Sequence, residues 1–290
     1  LLSSSFTYCP MGYEVYSFLI RLNLVIYRGN NMKYMKTRSI LTSLLILATL
    51  LSLSCATVSC GDSKTSSVTM VKENQVQLPR KSFLKIYRNV NFKICNPEKP
   101  EECENRTMRS TGSGFVISNI AEGGFMMTAA HVCNVADMVE YVANKDPNVT
   151  YISDTTVVED VAGNRYEAIV LEMDEPADLC VTFVHGITNP PVKISYFAPS
   201  PGDTVHNLAA PVGFFGVGMI PTLHGSYNGD YGRYAAYSVP AVGGSSGSPL
   251  FNVAGEVIGM IHSVHTRFQF LTFSPTHSEI YKMASKYINL

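Results

Sequence analysis

The sequence predicts an all-β protein made of two antiparallel six-stranded barrels followed by one C-terminal helix. Three observations carry this. Short apolar runs of strand length, cut by turn residues, recur from Ser82 onward. They fall into two series on either side of Ile187-Thr188-Asn189-Pro190-Pro191, a proline-marked connector. Helical spacing appears only at the carboxyl end. Two groups of about six short strands with hardly a helix between them are the pattern of a barrel pair.

The chain has 290 residues, a formal net charge of -1 and 46% hydrophobic residues. That is enough apolar material for one or two β cores, with no basic excess of the kind nucleic-acid binders show. It opens on Leu, and residues 1–34 read as an untranslated or disordered extension ahead of a start at Met35 or Met32. Residues 35–60 have the pattern of an export signal. Lys36 and Arg38 precede a nearly apolar run from Ile40 to Leu53, and small residues follow at Ser54-Cys55-Ala56 and Ser59-Cys60-Gly61. The run is short for a bilayer core of ~30 Å, which favours cleavage over a spanning helix. Both Ser-Cys steps also loosely resemble a lipoprotein cleavage site, although Ser52 and Thr57 stand where that motif prefers Leu. Free secretion and a lipid anchor therefore both stay open, and residues 61–81 read as a polar tether. The expected location is outside the cytoplasm: periplasm, cell surface or medium. Membrane contact is expected only through such an anchor or an uncleaved signal.

The folded region is expected over 82–290, with barrel 1 at about 82–186, barrel 2 at about 192–274 and the helix at 275–289. The first series comprises Phe83 to Tyr87, Gly114 to Ser118, Gly124 to Thr128, Tyr166 to Met173 and Leu179 to Val184. The second comprises Val192 to Tyr196, Thr204 to Ala209, Tyr234 to Val239, Pro249 to Val253, Val257 to Ile261 and Phe268 to Phe273. In the helix, Ser274 is the expected cap and Pro275 suits the first turn. Ile280, Met283, Ala284, Tyr287 and Ile288 form a packing stripe.

Four cysteines lie in this region, Cys95, Cys103, Cys133 and Cys180, and they allow three pairings. Cys95 and Cys103 flank a turn-rich loop that a disulfide could close. Cys133 and Cys180 are either a second pair or free thiols packed as small apolar groups. No Cys or His residues sit at metal-ligand spacing, so no metal and no cofactor are expected.

Three segments carry candidate chemistry. Gly244-Ser245-Ser246-Gly247-Ser248-Pro249 is a glycine turn between strands, where Ser246 would expose its hydroxyl and the N–H groups of Gly244 and Ser246 could point to one spot. Met127-Thr128-Ala129-Ala130-His131 sets a histidine at the end of an apolar strand, tight against small neighbours. Asp178 opens a strand of apolar residues, so its carboxylate would be partly buried and in need of a donor such as an imidazole N–H. Its rivals Asp174 and Glu175 look like solvated turn residues.

Thr128-Ala129-Ala130-His131, Ala177-Asp178-Leu179 and Gly244 to Pro249 together resemble the three signatures of trypsin-like serine proteases of the chymotrypsin fold. The bacterial branch that includes the HtrA proteases and glutamyl endopeptidases is the nearest in flavour. Gly112 to Ser118 and Gly255-Glu256-Val257-Ile258-Gly259 match that branch too, and the likeness covers roughly 82 to 275. It implies Ser246 as nucleophile, His131 as base, Asp178 as its orienting partner, and Gly244 and Ser246 as the oxyanion hole. It also implies a protein or peptide substrate, and the chain is expected to act as a monomer.

The departures set further expectations. Ser245 stands where digestive trypsins carry an Asp that pairs with a freed amino terminus, so no activation of that kind is expected. Pro240 replaces the Asp that selects Lys or Arg. His262 is displaced by one residue from the pocket histidine of glutamyl endopeptidases. One step along a strand turns a side chain to the other face, so His262 is expected not to reach the pocket. Ser263 and Val264 would line the wall instead, favouring a small or medium uncharged residue before the cut bond. No adaptor-like segment follows the helix, so a regulated cage is not expected. The competing class is a catalytically inactive barrel pair used for binding at the cell surface.

Overall fold

The computed structural model describes residues 76–288. The extension and signal expected over 1–60, and most of the tether, lie outside the described residues. Strands β1 (Phe83–Asn96), β2 (Lys99–Ile120), β3 (Gly123–Thr128), β4 (Val149–Asp160), β5 (Arg165–Asp174) and β6 (Leu179–His185) close into a barrel in the order β1-β2-β3-β6-β5-β4. The seam is the antiparallel pairing of β1 with β4, from Leu84↔Asp160 to Ile94↔Val149, which leaves no free edge. Strand β4 was not among the expected strands. Its sequence VTYISDTTVVED is too polar to show an apolar run, and ladders to β1 and β5 on either side hold it instead.

Sequence neighbours in barrel 1 part to opposite faces, as the strand period requires. Leu84, Ile86, Val116, Met126, Val158 and Val184 form one core cluster. Phe83, Phe115, Phe125, Met127 and Val181 face the other way and join Leu208, Phe251, Val257 and Met260 of the second sheet in a continuous core. Burial on this scale, at ~25 cal/mol per Å² of apolar surface, is what fixes the two sheets against each other.

The second sheet contains β7 (Thr204–Leu208), β8 (Thr222–Tyr231), β9 (Tyr234–Tyr237), β10 (Pro249–Phe251), β11 (Val257–Met260), β12 (Ser263–His265) and β13 (Phe268–Pro275), in the order β11-β10-β7-β8-β9-β13-β12. Its two edge strands, β11 and β12, are consecutive in the chain. Between them the Ile261 N–H donates to the Ser248 carbonyl and the His262 N–H to the Phe273 carbonyl, each at 2.9 Å. The sheet thus comes round on itself at Ile261-His262. Seven strands stand where six were expected: β8, whose sequence TLHGSYNGDY shows no apolar run, and β12 are additional, while one expected strand is absent.

Further expectations need correction. Val192 to Tyr196 is not a strand; it makes a single parallel bridge, Ile194↔Val257. The helix caps differ as well. Helix α3 (His277–Ile288) follows Thr276, whose N–H and hydroxyl both donate to Glu279 Oε2, at 2.9 and 2.8 Å, in a capping-box arrangement. Ser274 lies inside β13, where its hydroxyl oxygen accepts the Met260 N–H. The helix buries Ile280, Met283 and Ala284 in the core shared by both sheets. The expectation of helix only at the carboxyl end is also corrected: a four-residue turn, α1 (Ala130–Cys133), and a ten-residue helix, α2 (Ala136–Lys145), precede β4.

Candidate active site

His131 sits on the single turn α1, directly after β3. Ala129 and Ala130 are buried, which seats the turn against the core while the His131 ring stays 45% exposed. Asp178 lies between β5 and β6 with φ at 53°, a left-handed conformation uncommon for a residue with a side chain. Its own N–H donates to the Glu175 carbonyl at 3.1 Å, which holds this turn. The result is a carboxylate aimed back at α1. Oδ1 accepts the His131 backbone N–H at 2.8 Å and Oδ2 meets His131 Nδ1 at 2.7 Å. Asp174 and Glu175 are exposed, whereas Asp178 is only 8% exposed.

The Cys133–Cys180 disulfide joins the residues two positions beyond His131 and Asp178, so a covalent bond ties the two segments together. Cys95–Cys103 closes the far end of the β1–β2 hairpin.

A second imidazole meets the same carboxylate, and the sequence did not disclose it. His262 Nδ1 lies 2.6 Å from Asp178 Oδ2, with its ring stacked on Tyr234 at 5.1 Å between centroids and 18° between planes. The one-residue displacement from the pocket histidine was the available signal, since it turns the side chain to the opposite face of the strand. Burial alone pushes the Asp178 carboxyl up, but the hydrogen bonds from His131 and His262 outweigh it and hold it well below the usual carboxylate range. An ionised carboxylate only accepts, so both rings present Nδ1–H to it and leave Nε2 available. Ligand atoms of His131, Asp178 and His262 lie within 4.8 Å of one another, two imidazoles and a carboxylate of the kind that bind divalent cations. Their contacts of 2.6 and 2.7 Å are nitrogen-to-oxygen hydrogen bonds, with the proton occupying the place a cation would take.

The turn bearing Ser246 is fixed from several sides. The Ser113 N–H donates to the Ser246 carbonyl, and the Ser113 hydroxyl donates to the Gly244 carbonyl, both at 2.8 Å. Ser113 is in turn held by the Thr128 hydroxyl, which donates to its carbonyl at 2.7 Å. Gly247, with φ at 82°, comes so near that an added Cβ would lie 2.1 Å from the Ser113 carbonyl and 2.2 Å from Thr128 Oγ1. Ser246 is thereby carried to the segment that ends in His131. Within the turn, the N–H groups of Ser245, Gly247 and Ser248 donate to the carbonyls of Val242, Ile261 and Ser245. Those of Gly244 and Ser246 have no acceptor among the described residues, and nor has the Ser246 hydroxyl. The Ser245 side chain is fully buried, its hydroxyl oxygen 3.4 Å from the Val242 nitrogen.

Of the residues expected to wall a substrate pocket, Pro240 and Ser263 are half-buried, and Val264 packs against the Val205–Tyr237 core of the second sheet.

Comparison with known proteins points to a protease family. The trypsin-like peptidase domain family matches residues 112–260. A probable periplasmic serine endoprotease DegP-like of Pseudomonas fluorescens is 27% identical over 176 residues, covering 59% of this chain and 33% of that protein. A protein of the same description from Halomonas elongata is 29% identical over 164 residues, covering 55% and 30%. The chain thus spans about a third of the length of the relatives it matches. Among solved structures, a serine endoprotease from Yersinia pestis aligns with a TM-score of 0.51 and 19% identity, over 72% of this chain and 64% of that one, a likeness of fold.

Proposed function

The chain belongs to the trypsin-like peptidase domain family, and from that premise we propose that it is an exported serine endopeptidase in which Ser246, His131 and Asp178 act together. The observation that carries this reading is the two-point hold of Asp178 on His131, through the backbone N–H and Nδ1. That hold leaves His131 Nε2 in the accepting tautomer, the form a general base needs.

The chemistry is acyl transfer in two halves. Ser246 Oγ bonds to the carbonyl carbon of the substrate as its proton passes to His131 Nε2, and the carbonyl oxygen takes up the negative charge. The unpaired N–H groups of Gly244 and Ser246 supply the donors for that oxyanion; losing one such donor costs ~10²–10³ in rate. The carbon–nitrogen bond then breaks, and the leaving amine takes the proton from His131. Water repeats the sequence on the acyl-enzyme, which releases the acid and returns the proton to Ser246. Asp178 stabilises the imidazolium in both halves and stays ionised throughout.

Export is supported by the leader pattern over 35–60, by the two disulfides, which persist in oxidising compartments, and by the periplasmic description of the relatives. Pro240, in place of a charged pocket residue, supports cleavage after a small or medium uncharged residue. The test is labelling by a fluorophosphonate probe, with Ser246→Ala as control. Labelling of the wild-type chain alone is expected. Equal labelling of both proteins would remove Ser246 from its role, and labelling of neither would favour the inactive binding module.

A further inference from the structure

His262 is not needed to complete a serine, histidine and carboxylate set, yet it makes the shortest of the contacts to Asp178. Its ring is not placed there loosely. The backbone N–H is tied to the Phe273 carbonyl at 2.9 Å, and Tyr234 covers one face of the ring. The side chain is 20% exposed, so the imidazole keeps an opening to solvent and to protons. Asp178 itself is held in a left-handed backbone conformation, which by itself does not fix the rotation of the carboxylate about its side-chain bonds. Three donors from two separate segments do fix it: the His131 N–H, the His131 ring and the His262 ring.

We infer that His262 is a positioning residue for Asp178 and, when protonated, an acid-side brake on the site. The inference rests on the proposed roles of Ser246, His131 and Asp178. A neutral His262 donates one hydrogen bond to Oδ2 and leaves the full carboxylate charge to stabilise the imidazolium that forms on His131. A protonated His262 becomes an ion-pair partner of the same oxygen. It then competes for the carboxylate and adds a positive charge beside the one His131 must acquire, so proton transfer from Ser246 becomes harder. Among the described residues, Asp178 contacts the ring and Tyr234 stacks on it, and His131 reaches it through the shared carboxylate oxygen. The proposal requires both imidazoles on this one carboxylate to be neutral for full reactivity, so loss of reactivity on acidification should involve two protons rather than one.

The experiment measures the second-order rate constant for fluorophosphonate labelling of Ser246 from pH 4.5 to 9, which needs no knowledge of the natural substrate. The full chain, H262S and H262A are compared, with thermal unfolding as a check on folding. For the wild type, the acid limb is expected to fit two ionisations and approach a slope of two on logarithmic axes. H262S, which keeps a hydroxyl donor but cannot become a cation, should label within about tenfold of wild type at pH 8 and show a one-proton limb. H262A should lose about 10–100-fold at pH 8, the usual range for removing a partner that orients a functional side chain. Rescue by serine together with the change in slope separates positioning from mere packing. A one-proton limb in the wild type, unchanged in H262S, overturns the proposal even if H262A fails to fold. Absence of wild-type labelling at every pH removes the serine protease reading itself, a different result from labelling that is indifferent to residue 262.

Discussion

Ser113 and Gly244 are 131 positions apart in sequence, yet the Ser113 hydroxyl donates to the Gly244 carbonyl at 2.8 Å while the Ser113 N–H donates to the carbonyl of Ser246 in the same turn. The same hydroxyl oxygen accepts the Ala210 N–H at 3.1 Å, so one buried side chain of barrel 1 ties down two segments of the second sheet. The orientation of the Gly244 and Ser246 N–H groups therefore depends on a residue outside the turn.

Ser113→Ala should leave the Gly244 carbonyl and the Ala210 N–H unsatisfied in a buried setting, at a cost of about 1–3 kcal/mol in stability. Reactivity should fall about 10–100-fold as the turn loosens. Thermal unfolding and the labelling rate of Ser246 check the two effects separately, and an unaltered labelling rate would show that the turn orients itself.

Gly247→Ala should be far more damaging. The new Cβ would stand 2.1 Å from the Ser113 carbonyl at a backbone φ of 82°, so overlap and strain add. A loss of about 2–6 kcal/mol is expected, from about 1–3 for strained backbone and a similar amount for overpacking. Recovery of soluble protein and its unfolding midpoint are the measurements.

Removal of the Cys133–Cys180 disulfide, with a sequence separation of 47, should cost about 4 kcal/mol on the chain-entropy estimate. Opening Cys95–Cys103, with a separation of 8, should cost less. Only the first loss should slow labelling of Ser246, because only that bond joins the His131 and Asp178 segments. Double serine variants of each pair, compared by unfolding and by labelling rate, test the contrast.

Asp178 links stability to pH. Its carboxyl titrates lower in the folded state than in the unfolded chain, so its contribution is fully present above the ordinary carboxylate range near ~4 and is lost as pH falls below it. Asp178→Asn should flatten the acid side of the stability curve and, by upsetting the His131 tautomer, lower the rate by about 10⁴. Activity should fail at higher pH than stability does, because the base must be neutral and a histidine ordinarily titrates near ~6.5. Acid unfolding curves and pH–rate profiles of the two proteins decide this.

The all-β class was legible because strands that bury both faces must be largely apolar, and Phe83 to Tyr87 and Leu179 to Val184 are, with Lys85 and Thr182 the interruptions. Strand β4 was not legible, since VTYISDTTVVED gains its place from neighbours on either side and not from its own pattern. The stripe of helix α3 was read correctly at Ile280, Met283, Ala284 and Tyr287 but not at Ile288, which is exposed, nor at the cap, where Thr276 and Glu279 act in place of Ser274 and Pro275.

By itself the sequence determined the fold class, the family resemblance and the order of the histidine, aspartate and serine motifs, because these are properties of short contiguous segments. The tertiary structure alone decided that His262 shares Asp178 with His131, that Ser113 clamps the Ser246 turn, and which N–H groups of that turn stay unpaired. Each of these is a contact between segments far apart in the chain. Such contacts are set by the register of strands and the face a side chain takes, and no local pattern of residues encodes either one.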